Sequence, residues 1–141
     1  MNATALDIYW RLYPLNTTNQ NPGELLPLTP AVFHILLALA DADRHGYAIM
    51  KEVEARTEGR LLLKPGTLYQ AISRLLEAGL IEEVAASNED KDVDSRRRVY
   101  HLSSFGRQTV IAEAHRLEQM VQQAYGINIF EGNKISISFR I

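Results

Sequence analysis

The sequence has no cysteine among its 141 residues. Disulfides, thiol nucleophiles and every zinc site that needs thiolate ligands are therefore excluded. A reducing cytoplasm, the expected location, suits that absence. No apolar run reaches the ~18–20 residues a membrane-spanning helix requires. The longest stretch, residues 32–42, is interrupted by His34 and Asp41. The first residues lack the basic start and apolar middle of a secretory signal, and no membrane partner is expected. Histidine is scarce: His34, His45, His101 and His115 are the only four. None has a metal-ligand spacing or a partner constellation, and no nucleotide-binding glycine loop is present. No metal, no cofactor and no catalysis are expected. His34 is expected to be a satisfied core histidine. Excess positive charge is missing too, with a net charge of −2, which argues mildly against nucleic acid because many such domains are basic overall.

What is present is an ordinary core-forming composition, 46% hydrophobic and 23% charged, in a chain of single-domain length. The positive charge is local. Residues 60–79 carry Arg60, Lys64 and Arg74 against Glu77, and Arg96, Arg97 and Arg98 follow in a row. Between them lie Glu89, Asp90, Asp92 and Asp94, offset only by Lys91. Screening confines each charge to ~8 Å at physiological ionic strength, so distribution outweighs the total.

Residues 1–28 read as an N-terminal extension, with a short amphipathic helix over 3–13 broken by Pro14 and the polar run that follows. Thr29-Pro30 is a hydroxyl cap followed by proline in the first turn, which starts a buried helix to about residue 41. A polar turn follows over 41–45. A second helix is expected over 46–58, with Tyr47, Ile49, Met50, Val53 and Thr57 facing inward in part and Gly59 as its stop. Lys64-Pro65-Gly66-Thr67 opens a third helix to about residue 78, whose Leu68, Ile72, Leu75 and Leu76 keep one buried face. Two strand-like segments, 80–84 and 98–102, form a hairpin with a long charged tip. Ser103 caps a last helix, about 104–125, striped by Val110, Ala114, Leu117 and Val121 and stopped by Gly126. The tail 127–141 alternates like a half-buried strand. The expected class is mainly α with a small β-hairpin wing, a winged helix-turn-helix. A DNA-binding domain would occupy 29–102, and a dimerisation helix 103–126.

In that architecture the third helix enters the major groove and the basic hairpin meets the backbone or minor groove. Its positions outside the core are Tyr69, Gln70, Ser73, Arg74 and Glu77. Gln70 and Arg74 lie one turn apart and project together, with the chemistry to pair adenine and guanine or a phosphate. Gly66 has no side chain to hold a phosphate off. The Thr67 hydroxyl and free N–H groups make an anion site beside Lys64. Arg96 and Arg98 alternate with Arg97 across the second hairpin strand, where they would neutralise phosphates. The same residues also fit a plainer reading, a solvated helix face and an arginine run paired to the nearby acids.

The motifs then resemble the PadR family of regulators. They are Leu28-Thr29-Pro30 with residues 33–39, His45-Gly46-Tyr47-Ala48-Ile49, Gly66-Thr67-Leu68-Tyr69, Arg74-Leu75, Gly79-Leu80-Ile81, residues 97–102 and Gly106-Arg107. The resemblance covers residues 28–113. It implies a repressor that dimerises through its C-terminal helix, binds palindromic double-stranded operator DNA and is released by a small apolar or phenolic effector. It also implies that Thr67 and Tyr69 contact DNA, that Arg97 or Arg98 lies at the wing, and that the His45-Gly46-Tyr47 turn approaches phosphate. The alternative is a winged-helix protein-interaction module. That would place acidic or apolar residues where Gln70, Ser73 and Arg74 stand.

Overall fold

The structure is a computed structural model, and it describes residues 21–84 and 98–130. The expected helix over 3–13, the hairpin tip, and the strand-like pattern after residue 130 lie outside the described residues.

A 3-10 turn, Pro22–Leu25, precedes the first helix. Helix α1, Pro30–Asp41, starts where the sequence predicts. Thr29 accepts a hydrogen bond from the Val32 N–H at 3.2 Å, and Pro30 sits where its missing N–H costs nothing. Helix α2 is Gly46–Arg56, α3 is Pro65–Glu77 and α4 is Ser104–Gly126. Strand β1 is Arg44–His45, β2 is Ile81–Val84 and β3 is Val99–Leu102. The class is mainly α with a β wing, as the element order predicts.

The wing differs from a two-stranded hairpin. Residues 41–45, expected as a turn, contain β1, and the sheet is antiparallel in the order β1-β3-β2. Arg44 fixes that edge: its Nε donates to the Ala38 carbonyl at 2.9 Å, its Nη2 to Asp41 at 2.9 Å, and Glu52 lies 3.7 Å away. Two residues are too few for periodicity to reveal. The register pairs Arg44 with Tyr100 and Ile81 with Leu102.

Helix α2 ends at Arg56, two residues before the expected end at 58. Glu58 takes the left-handed position (φ 52°), with its N–H on the Ala55 carbonyl and the Gly59 N–H on the Glu54 carbonyl. This is a Schellman ending with Glu58 at its left-handed position, and the expected Gly59 follows it, also left-handed (φ 75°). At the end of α3 the same motif has its glycine in place: Gly79 (φ 74°) bonds to Leu76 and Leu80 to Leu75. Tyr47, expected inward, is 64% exposed, with Lys51 Nζ 5.6 Å from its ring centroid. Two residues before Ile49, it falls on the opposite side of the helix.

The core joins Ile35 and Leu36 of α1, Ile49 and Val53 of α2, Leu68 and Ile72 of α3, and Tyr100 and Leu102 of the sheet. Only the first half of α4 closes on it. Gly106, Thr109, Val110, Ala112 and Glu113 are buried, whereas Ala114 and Leu117, further along the predicted apolar stripe, are exposed. Glu113 shows why. Its carboxylate is fully buried and accepts from the Leu28 N–H at 2.7 Å. It also takes Arg116 through Nε (2.7 Å) and Nη2. A buried charge persists only when so partnered. This one ties the segment before α1 to the last helix, a link no apolar pattern signals. His34 also departs from expectation, since its buried Nδ1 has no hydrogen-bond partner among the described residues.

Candidate nucleic-acid interface

Helix α3 divides cleanly. Leu68, Ile72 and Leu75 are buried, and Thr67, Gln70, Ser73, Arg74 and Glu77 are exposed. The sequence spacing therefore places the Gln70 and Arg74 side chains on one solvent face, as read. At the N-terminus Lys64 occupies the cap in extended conformation, is exposed, and makes no side-chain capping bond. The first turn has no acidic residue, so its free N–H groups keep their partial positive charge.

Gly66 is exposed, and a Cβ built on it would meet nothing within 4 Å. Nothing inside the fold requires glycine at that position. Tyr69 is the exception among the sequence-selected residues. It is half-buried, and its ring covers the first residue of α2, with Oη 2.8 Å from where a Gly46 Cβ would stand.

At the wing Arg98 is exposed, with Nε 3.4 Å from Glu83 Oε1 across the hairpin. Arg96 and Arg97 lie outside the described residues. Tyr100 is buried beneath. Burial first, then the Glu83 carboxylate, pushes its hydroxyl above the usual phenol range, so it stays neutral at physiological pH. A cleft of about 210 Å³ separates α3 from β3, lined by Tyr69, Ile72, Ser73, Leu76, Arg98 and Tyr100. The contact of His101 Nδ1 with Asp43 at 2.6 Å holds the outer face of β3 to the turn before β1. Sequence reading missed that pair because 58 residues separate its members.

A model of the transcriptional regulator PadR-like family matches residues 35–112, more than half of the chain. The chain belongs to that family. Membership places this PadR-like protein among transcriptional regulators, not enzymes. A transcriptional regulator of Mycobacterium tuberculosis is 32% identical over 94 residues, 66% of this chain and 80% of that protein. An uncharacterized 37.1 kDa transposon protein of Streptomyces fradiae is 36% identical over 86 residues, 61% of this chain. The match spans 22% of the length of that relative. A PadR family transcription regulator from Clostridium difficile shares the fold, with a TM-score of 0.56 at 22% identity over 70% of this chain and 98% of that one. Among the described residues of the PadR-like chain, no helix is long and apolar enough to cross a membrane.

Proposed function

We propose that the protein is a sequence-specific DNA-binding regulator that acts as a homodimer on a palindromic operator. In this reading it is a repressor released by a small apolar or phenolic effector. The observation that carries the DNA reading is the exposed face of α3. Gln70, Ser73 and Arg74 stand together above an uncapped helix start where Gly66 borders open space. Lys64, Gly66 and Thr67 would take a phosphate, Gln70 and Arg74 would read base edges, and Arg96, Arg97 and Arg98 would meet the backbone from the wing.

The test is fluorescence anisotropy on the protein's own upstream intergenic DNA and on random DNA, across a salt series. Specific binding with a steep salt slope is expected. Arg74→Ala should cost ~10–100-fold in preference for the operator, the effect of one lost bidentate base contact. Arg97→Ala should weaken both DNAs equally and reduce the salt slope by ~0.9. Equal affinity for operator and random DNA would sink this reading and favour the protein-interaction module.

Gly66 offers a second check that separates binding from folding. Gly66→Ala should melt at or slightly above the wild-type temperature, since a helical glycine with free space gains from a methyl group. The same variant should bind operator about tenfold more weakly, the methyl group holding off a phosphate the backbone would otherwise approach. Unchanged binding would remove Gly66 from the interface.

A further inference from the structure

Among the exposed residues of the proposed interface, Tyr69 stands apart. It is half-buried on α3, and three separate observations converge on its ring. The ring lies on Gly46, whose absent Cβ would fall 2.8 Å from Oη and 3.1 Å from Cε1 and Cζ. Gly46 follows directly on β1, which is paired to β3 through Arg44 with Tyr100 and His45 with Val99. Across the α3–β3 cleft the ring faces Tyr100, and the Tyr69 hydroxyl is close enough to help raise the Tyr100 pKa. One side chain therefore touches or faces the start of α2, the wing strand and its own helix.

We infer that Tyr69 is a positioning residue, whose ring, seated on Gly46 and facing the wing strand across the cleft, sets the angle of α3 relative to α2 and the wing without touching DNA. The physical reason is the contact itself. A glycine lets two helices approach until ring meets backbone, and a side chain added at Gly46 would push the ring off its seat. The wing is coupled to the same point because β1 leads into Gly46 without an intervening residue. A shift of the ring would therefore rotate Gln70 and Arg74 relative to Arg98, and base readout tolerates little misplacement. The role in operator choice rests on the DNA-binding reading above; the packing does not.

Two measurements separate these layers. The first is a double-mutant cycle in thermal stability with no DNA present. Gly46→Ala should lower Tm by ~5 °C in the wild-type background and leave Tm of Tyr69→Ala unchanged, because the ring it strikes is gone. Equal losses in both backgrounds would overturn the packing. The second is the ratio of operator to random-DNA affinity. Tyr69→Phe keeps the ring and should hold that ratio within about twofold, and Tyr69→Leu should lower it about tenfold with the salt slope unchanged. If Tyr69→Phe loses as much as Tyr69→Leu, the hydroxyl makes a direct contact and the inference fails. If Tyr69→Leu loses nothing, the ring positions nothing and it fails as well. A wild-type protein that does not discriminate operator from random DNA sinks the positioning role together with the DNA reading, whereas the stability cycle still reports on the packing alone.

Discussion

Gly106→Ala is expected to cost ~3–5 kcal/mol, a large share of the ~5–15 kcal/mol that holds a domain folded. Thermal denaturation should show the midpoint falling by ~10–20 °C. Gly106 lies in the first turn of α4 and is buried. A Cβ placed there would stand 2.0 Å from the Leu80 carbonyl oxygen and 2.7 Å from Leu102 Cδ1. The oxygen cannot yield, because it belongs to backbone fixed from several sides. Leu80 accepts the Ser103 N–H at 3.1 Å, and the next residue, Ile81, is in register with Leu102.

The helix cannot yield easily either. The Ser103 hydroxyl donates to the Gly79 carbonyl at 2.6 Å and accepts the Gly106 N–H at 2.9 Å, clamping the start of α4 to the end of α3. To make room for one methyl group, α4 must lift from the sheet and break that clamp. The contrast with Gly66, which borders open space, makes the test sharp: the same substitution should leave one variant's midpoint unchanged or slightly raised and lower the other's by ~10–20 °C. A Gly106→Ala protein melting within a few degrees of wild type would show that α4 does not cross the sheet at this closeness.

The two glycines also show how far the sequence could be read. Gly106 is recognisable as part of a family motif, but its reason, a carbonyl twenty-six residues earlier in the chain, exists only in three dimensions. The helices were legible because their signals are local: the Thr29 cap, the Ser103 cap, and the Leu68, Ile72 and Leu75 spacing all lie within a turn or two of what they control. The solvent face of α3 follows from the same spacing. Strand β1 was not legible, since its two residues are ordered by Arg44 reaching back to Ala38 and Asp41 and by pairing to β3. Glu113 was invisible for the opposite reason. A charged residue at a helix position reads as surface, and only the Leu28 N–H and Arg116 make its burial tolerable. Tyr69 falls between these cases. Its place in a motif is plain, and its packing on Gly46 is a tertiary fact.

The second large effect concerns the far end of α4. Past Glu113 no residue of the helix is buried, although the chain continues helical to Gly126. Among the described residues this half packs only in part, and a helix of that length is marginal in water on its own, so it gains from a surface to rest on. Its apolar side chains offer one: Leu117 is 36% and Met120 53% exposed, with Val121 half-buried nearby. A second copy of the same helix would cover them under two-fold symmetry, placing two α3 helices on half-sites ~34 Å apart.

Leu117→Glu combined with Met120→Glu should then shift the protein to monomer in analytical ultracentrifugation, because each copy would bury two uncompensated charges at the seam. Operator affinity should fall ~100-fold or more, since a lone half-site loses the second contact set and its high effective concentration. The winged portion should still melt cooperatively, because neither residue reaches its core. If the doubly substituted protein remains dimeric, the seam lies elsewhere on the chain. If it becomes monomeric but binds operator as tightly as before, the dimer does not drive recognition, and one copy of α3 with its wing is the whole reading head.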